Sequence, residues 1–282
     1  MTTRIVTDSL SDITSSMAEK YNITVVPLTV LFGHESYLDR VTIKADEFYR
    51  RLVQGPVWPT TTQPTPAAFA DVYNKLWTKS DDILVVTLSR KMSGTYQSAM
   101  GAKPMVRKDH QIEVIDSETV AMGLGLIVIA AAREAQKGAG LKELSAFVQR
   151  AKSRSHFVAY FDTLKYLAKG GRIGKAQGWL GSLLSVKPLL TVKDGEMAPV
   201  TRVRSLGAGM DYLYNYAAGY EGRIESVAVE HTTEVEEADN LVDRLSAIVP
   251  KDKIVRSTVS PVLGTYGGPG AVALTILESE SK

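Results

Sequence analysis

The sequence contains no cysteine among its 282 residues. Disulfides, thiolate metal ligands and cysteine nucleophiles are therefore excluded. An excess of charge of one sign is also lacking, since 33 basic and 31 acidic residues leave a net charge of only +2. A protein that binds nucleic acid through bulk positive charge would be more basic, so the balance argues against that class of function.

Targeting segments and long hydrophobic runs are equally scarce. The first residues, MTTRIVTDSLSD, contain no apolar signal-peptide core and lead directly into a strand-like pattern. The most apolar run, Val120 to Ala132, is too short to span a bilayer, and Arg133 follows it at once. We expect this run to form a buried core helix, with partial exposure to an apolar ligand as the alternative. The sequence thus predicts a soluble, cytoplasmic protein without an integral membrane segment.

The composition is that of a globular protein, with 44% hydrophobic and 23% charged residues, and the first half alternates strands with helices. Strands are predicted at Arg4 to Thr7, Asp82 to Leu88 and Gln111 to Ile115. Ile23 to Phe32 is a further extended stretch, which Pro27 interrupts. This alternation predicts a mostly parallel sheet with helices on both faces.

The second half mixes hairpins with helices. Asp194-Gly195 stands between two extended stretches and is a typical two-residue hairpin turn. The pattern predicts an α+β lobe with a mixed sheet. We place the boundary near Lys152, so that residues 1–152 form an N-terminal α/β lobe and residues 153–282 a C-terminal α+β lobe of one unit.

Hydroxyl side chains gather where helices follow the predicted strands. The loops concerned are Thr7 to Asp12, Thr60 to Thr65, Ser89 to Thr95 and Asp116 to Thr119. Ligands of parallel sheets bind at the carboxyl ends of strands, and helix N-termini hold carboxylates or phosphates. Helix capping alone can explain any one of these loops, and it is the favoured interpretation for Asp12 and Ser117. For Ser93-Gly94-Thr95, contact with a ligand and helix capping are favoured equally. Together the loops predict a site for a small acidic ligand.

Nucleotide, metal and catalytic motifs are incomplete or missing. Gly170 to Ala176 is similar to a phosphate loop, but Lys169 stands where its first glycine should be, and Ala176 where its metal-binding hydroxyl should be. G-x-G-x-x-G after the first strand, H-E-x-x-H and G-x-S-x-G do not occur. The histidines are interpreted as surface or structural residues: His34, His110, His156 and His231. No catalytic residue, metal or cofactor is therefore assigned.

A series of short motifs occurs in a specific order along the chain. They are Thr7-Asp8-Ser9, Thr61-Thr62-Gln63-Pro64, Leu88-Ser89, Ser93-Gly94-Thr95-Tyr96-Gln97-Ser98-Ala99, Asp116-Ser117, Thr163-Leu164-Lys165-Tyr166-Leu167, Gly170-Gly171-Arg172-Ile173, Lys187-Pro188 and Gly268-Pro269-Gly270. Each motif alone is weak, but in this order they make the chain resemble, from end to end, the DegV family of bacterial fatty-acid-binding proteins.

The resemblance implies a two-lobed α/β fold with one long-chain fatty acid between the lobes. By motif, the carboxylate should meet Thr61 and Ser93, with Thr62, Gly94 and Tyr266 also at the site and the tail in an apolar tunnel. The resemblance further implies an ATP-using fatty acid kinase subunit that phosphorylates the bound carboxylate. The present chain would then present the substrate and carry the acyl phosphate towards phospholipid synthesis without itself being an enzyme.

Four residues add detail to this resemblance. Many relatives have histidine in a G-T-H-x-G-P-G segment where this chain has Tyr266, and a phenol is not positively charged at neutral pH. Tyr266 either contacts the head group or packs in a glycine-rich turn. Arg172, Arg202 and Arg204 lie in segments that the family keeps on its surface, and we expect them either to dock the kinase or to form a solvated basic face.

Two other functions stay open. The first is an enzyme that acts on a small acidic metabolite through the same loops, although no base, metal or nucleotide motif is visible beside Thr61 and Ser93. The second is a regulatory protein that senses a fatty acid.

Overall fold

The computed structural model describes residues 3–77, 82–106, 111–181 and 186–280. Its strands are β1 (Thr3–Asp8), β2 (Ile23–Val26), β3 (Thr29–Phe32), β4 (Glu35–Leu38), β5 (Thr60–Thr62), β6 (Asp82–Thr87), β7 (Ile112–Asp116), β8 (Ser155–Tyr160), β9 (Lys187–Lys193), β10 (Glu196–Val203), β11 (Ile224–His231), β12 (Ile254–Thr258) and β13 (Val272–Glu278). Its α-helices are α1 (Ser15–Tyr21), α2 (Ala45–Gln54), α3 (Pro66–Trp77), α4 (Thr95–Ala102), α5 (Met122–Gln136), α6 (Leu141–Arg154), α7 (Lys165–Lys169), α8 (Leu206–Ala218), α9 (Val235–Leu245) and α10 (Pro261–Gly267).

The first half forms a four-stranded parallel sheet in the order β2-β1-β6-β7. Successive strand residues point to opposite faces. On β6, Ile83 and Val85 pack with α3 and α4, while Leu84 and Val86 join the cluster that includes α5. The expected parallel sheet with helices on both faces is confirmed.

The second half forms a six-stranded mixed sheet in the order β10-β9-β8-β13-β11-β12. Only β11 and β12 pair in parallel; the other neighbours are antiparallel. The turn between β9 and β10 has positive φ at both Asp194 (55°) and Gly195 (77°). A two-residue hairpin of the primed type requires this geometry, so the predicted turn and mixed sheet are confirmed.

A third, small sheet with the order β4-β3-β5 was not expected. Pro27 follows β2 and divides the apolar stretch Ile23 to Phe32 into strands of two different sheets. The hydroxyl-rich segment at Thr60, interpreted above as loop, is instead the short strand β5, in which Thr61 pairs with Val30. Threonine is β-branched and favours strands, but a segment of only three residues between Pro59 and Pro64 is a strand here because it pairs with β3.

Helix α5 joins the two halves of the molecule. Its residues from Met122 to Ala132 are all buried, and it packs against β1 and β6 of the parallel sheet and against β8, β11 and β13 of the mixed sheet. The expected buried helix is thereby confirmed. Within the described parts of the chain, no helix is long and apolar enough to cross a membrane. The proposed boundary at Lys152 falls in the last turn of α6, and β8 follows this helix directly; the division into 1–152 and 153–282 stays a prediction.

Candidate ligand-binding site

A cavity lies between the parallel and the mixed sheet. It has a volume of about 930 Å³ with its open mouth included. Leu10, Leu88 and Ala121 line it from the first half of the chain, and Phe157 and Leu263 from the second. Because most of the walls are apolar, the cavity suits an apolar ligand or an apolar part of one.

Small side chains on the mixed sheet leave room for this cavity. Ala159 on β8 and Ala273 on β13 are directly opposite each other in the register, and both line the cavity together with Ala271. Their neighbours on the same strands, Val158 and Leu274, point to the other face and pack with α8 and α9. The alternation of the strands therefore assigns one face to the cavity and the other to the core.

One end of the cavity is polar, and it is where the two hydroxyl-bearing loops meet. Thr61 and Ser93 both line the cavity. The Thr61 hydroxyl lies 2.5 Å from the Tyr266 hydroxyl, and the Ser93 hydroxyl lies 2.9 Å from that of Thr95. The two loops also touch through Gly94, since a Cβ there would lie 2.4 Å from the Gln63 amide nitrogen. Residues far apart in sequence thus form a single polar wall.

Two of the predicted ligand residues lie outside the lining. Thr62 is exposed and does not line the cavity, because consecutive strand residues face opposite sides. Gly94 does not line it either; it precedes α4 as the N-cap residue and allows the approach of Gln63. Direct contact of Thr62 and Gly94 with a ligand stays a prediction.

Tyr266 belongs to a short helix, so the interpretation of its segment as a glycine-rich turn is wrong. The Ser260 hydroxyl accepts a hydrogen bond at the N-terminus of α10, Pro261 occupies the first position, and the helix ends at Gly268 with a φ of 71°. Ser followed by Pro is a common helix start. Gly170 receives the tyrosine ring, since a Cβ there would lie 2.4 Å from its Cδ1 atom.

Arg172 lines the cavity, unlike the other two arginines considered above. It is exposed at the mouth, and its side chain donates to the carbonyls of Met92 (3.2 Å) and Gly170 (2.8 Å). The guanidinium carbon lies 5.1 Å from the centre of the Tyr266 ring, a cation–π distance. A fixed positive charge therefore stands beside the hydroxyls. The sequence motif contained this arginine but gave no sign that it faces inward.

The other two arginines lie away from the cavity lining. Arg202 is exposed on β10 and stacks at 4.3 Å over the Trp179 ring, and Arg204 is exposed just after the same strand. Their part in docking a partner stays a prediction.

Two buried carboxyl groups hold the backbone of the cavity walls. Asp8 accepts hydrogen bonds from the backbone N–H groups of Leu10 (3.0 Å) and Leu88 (2.8 Å). Asp39 accepts from the Ser9 hydroxyl at 2.7 Å and from the backbone N–H of Val262 at 3.3 Å. Burial raises the pKa of Asp8 and of Asp39 to about 7, against the lowering effect of these hydrogen bonds.

Asp12 connects the two halves and does not cap the helix that follows it, contrary to expectation. Thr14 caps α1 instead. The Asp12 carboxylate pairs with Arg40 at 2.9 Å and accepts a hydrogen bond from the Ser260 N–H at 3.1 Å. Burial first, and then the neighbouring charge of Asp12, raise the pKa of Glu230 well above its usual value. This network holds the start of α10, and therefore Tyr266, against the first half of the chain.

The histidines that the structure describes stand outside the cavity lining. His34 is exposed, and His156 lies 2.6 Å from Glu278. Burial lowers the pKa of His231 to about 4, so it is neutral. His110 lies outside the described residues. Within those residues, no group of three or more potential ligands is arranged to hold a metal ion.

Comparisons with known proteins agree with this geometry. The family model described as "Uncharacterised protein, DegV family" matches residues 2–279. A DegV domain-containing protein of Caldanaerobacter subterraneus is 38% identical over 96% of both chains. One of Clostridium perfringens is 33% identical over 97% of this chain and 98% of its own.

Two solved structures superimpose over nearly the full length. A DegV family protein from Thermus thermophilus, described for its fatty acid binding, has a TM-score of 0.90 and 29% identity over 99% of this chain and 100% of its own. DegV of Bacillus subtilis, described as a fatty acid binding protein, has a TM-score of 0.91 and 28% identity with the same coverage. The expected two-lobed α/β fold is confirmed.

Proposed function

This chain belongs to the DegV family, and we propose that it binds a long-chain fatty acid in the cavity between its sheets. The carboxylate lies at Thr61, Ser93 and Tyr266, and the acyl tail lies along the apolar walls. The observation that carries this proposal is a cavity between the two sheets that has apolar walls and a polar end, which matches an amphipathic acid. The structural neighbours described as fatty acid binding support the ligand class.

The two parts of the ligand contribute differently. Each buried methylene contributes roughly 0.8 kcal/mol, so the tail supplies most of the affinity. The head contributes charge-assisted hydrogen bonds, which fix its orientation. The acid therefore enters tail first and keeps its carboxylate at the polar end.

Many relatives have a histidine at the position of Tyr266, and in this chain Tyr266 and Arg172 together take over its role at the head group. The tyrosine hydroxyl is placed to share the carboxylate with Thr61, because their oxygens are already 2.5 Å apart. The phenol brings no positive charge, but Arg172 stands at the same end of the cavity. The arginine therefore supplies the charge that neutralises the head group.

The proposal extends to a kinase partner. The chain presents the carboxylate to an ATP-using kinase subunit in the cytoplasm and carries the resulting acyl phosphate towards phospholipid synthesis, without catalysing the transfer. The polar end supports this role because Arg172 both lines the cavity and reaches solvent, so a second protein can approach the head group. Arg202 and Arg204 are exposed cations suited to an acidic partner surface.

Native mass spectrometry of the protein purified from a bacterial host tests the ligand. We expect one long-chain fatty acid per chain, identified after extraction by its acyl length and unsaturation. A protein that is empty, and stays empty when fatty acids are supplied, would contradict the proposal.

A second experiment tests the kinase role. The loaded protein is incubated with ATP, with or without a separately purified kinase subunit, and hydroxylamine traps any acyl phosphate. Product is expected only with the kinase. The R202E/R204E variant should lower the rate at limiting protein while fatty acid binding is unchanged, whereas K142E, at an exposed position on α6, should behave as wild type. Product without kinase would make the chain an enzyme.

A further inference from the structure

A second cavity lies further along α5. Whereas the first cavity meets the start of this helix at Ala121, the second is lined by Leu126, Ile129 and Arg133. The rise of an α-helix places Arg133 about 18 Å from Ala121. The volume is about 650 Å³ with the open mouth included.

Elements of both halves of the chain form the walls of this second cavity. Lys20 and Tyr21, in the last turn of α1, line one side. Lys253 and the first residues of β12, an edge strand of the mixed sheet, line the other. The apolar part of the lining consists of Met17, Leu126, Ile129, Ile254 and Val255.

The polar lining is rich in positive charge. Lys20, Arg133, Lys253 and Arg256 all line the cavity, against one acidic residue, Asp252. Arg256 pairs with Asp239 of α9, which is not in the lining, at 2.8 Å. For the other three cations, no carboxylate partner occurs within the described ranges of the chain: the contacts of Arg133 and Lys20 are with Tyr21, and Lys253 donates to a backbone carbonyl.

Tyr21 reports the effect of these charges. Its hydroxyl accepts a hydrogen bond from Arg133 at 3.1 Å, and its ring lies 5.3 Å from the guanidinium carbon of Arg133 and 5.2 Å from the Lys20 ammonium. Burial raises the pKa of Tyr21, but the hydrogen bond and the charges of Arg133 and Lys20 outweigh burial and lower it overall. The cations of the lining therefore outnumber its single carboxylate, Asp252, and act on Tyr21.

Helix ends explain only part of this arrangement. Lys20 and Arg133 stand in the last turns of α1 and α5, where cations complement the helix dipole. That explanation does not cover Lys253, which comes from the other half of the molecule, nor the open space that the three side chains surround. Arg133 and Lys253 are half-buried and line the same cavity from different halves of the chain, so an anion in it has cations on two sides.

We propose that this second cavity binds a small phosphate ester, with the phosphate at Lys20, Arg133 and Lys253 and the organic group on the apolar floor. A phosphate monoester carries about −1.5 to −2 charges at neutral pH and three acceptor oxygens, which suits three cations better than a single carboxylate does. The bound ester connects α1 and α5 with β12, and so clamps the two halves of the chain together.

Isothermal titration with phenyl phosphate tests this site on the protein loaded with fatty acid. We expect binding of one molecule per chain, weakened at least about tenfold by R133Q and by K253Q, since each removes a charge-assisted contact. R50Q, an exposed arginine on α2, is the matched control and should not change the affinity. T61A/S93A should not change it either, so the outcome is independent of the proposed fatty acid site.

R133Q removes a partner of Tyr21 and so can fold poorly. In that case the melting temperatures of wild type and K253Q, with and without phenyl phosphate, test the proposal instead. K253Q removes only a long contact to a carbonyl, 3.4 Å, and should keep the melting temperature without ligand. With wild type, saturating phenyl phosphate should raise the melting temperature by about 3 °C or more, and K253Q should abolish much of that shift.

A vesicle-binding experiment distinguishes a lipid head group from a soluble ester as the source of the phosphate group. If the natural ligand is a lipid head group, vesicles with phosphatidic acid should bind the protein through Arg133 and Lys253 and vesicles of phosphatidylcholine should not. If it is a soluble ester, phenyl phosphate binds and the vesicles do not. Absence of binding to both probes, or binding that R133Q and K253Q leave unchanged, would overturn the proposal.

Discussion

Removing the two hydroxyls at the polar end of the first cavity should weaken the binding of a fatty acid without abolishing it. In a T61V/S93A variant the carboxylate loses two donors, each worth about 1.5–3 kcal/mol when the acceptor is charged. Tyr266 remains and can take over part of the contact, since its oxygen is 2.5 Å from that of Thr61. We therefore expect a loss of about 2 to 5 kcal/mol in binding free energy, or about 30- to 4,000-fold in Kd.

The tail provides an internal reference for this loss. A fatty alcohol of the same length makes the same apolar contacts but has no carboxylate. Wild type should prefer the acid to the alcohol, and the double variant should lose that preference by the same factor by which it loses affinity for the acid. Competition for a fluorescent fatty acid gives both dissociation constants in one assay.

Thr62 supplies the matched control. It is next to Thr61 in β5 but exposed and outside the cavity lining, so T62V makes the same chemical change on the opposite face. This variant should bind the acid as wild type does. Equal losses in T62V and T61V, or a T61V/S93A variant within twofold of wild type, would refute the assignment of the polar end to the carboxylate.

Three further predictions concern the walls around the cavity. A273F should fill the space beside the mixed sheet, so that native mass spectrometry finds shorter acyl chains or none; retention of the wild-type acids would contradict this. In G170A the new Cβ would lie 2.4 Å from the tyrosine ring at the polar end, and calorimetry should show a loss of about 1–3 kcal/mol in stability, whereas G178A, with nothing within 4 Å, should be neutral. Because burial raises the pKa of Asp8 and Asp39 from 3.8 to about 7, the folded state binds more protons than the unfolded state between these values. The free energy of unfolding should therefore fall as pH rises from about 4 to about 7, by at most about 4 kcal/mol per group. Urea titrations at several pH values measure this slope, which D39N should reduce. A free energy of unfolding that rises over the same pH interval would contradict the raised pKa values of Asp8 and Asp39.

Local signals in the sequence predicted the elements that local chemistry determines. The buried helix α5 follows from an apolar run with no polar face. The hairpin at Asp194-Gly195 follows from two residues that tolerate positive φ. The hydroxyl-rich loops after β1, β6 and β7 could be placed at one edge of the parallel sheet because the carboxyl ends of such strands gather there.

The elements that were missed depend on partners elsewhere in the chain. Thr60 to Thr62 have the β-branched side chains typical of strands, but they lie in a short segment between prolines, and pairing with β3 establishes the strand. Arg172 belongs to a glycine-rich segment, and its place at the cavity mouth depends on carbonyls of Met92 and Gly170. Ser260-Pro261 is a typical helix start, but the glycines that follow it disfavour a helix, so the sequence pattern did not predict α10.

The two faces of strand β13 serve separate purposes. Val272, Leu274 and Ile276 support the layer beneath α8 and α9, whereas Ala271 and Ala273 shape the space for a ligand. Substitutions at alternate positions can thus reshape the cavity while the supporting layer keeps its packing, and protein engineers can exploit this separation.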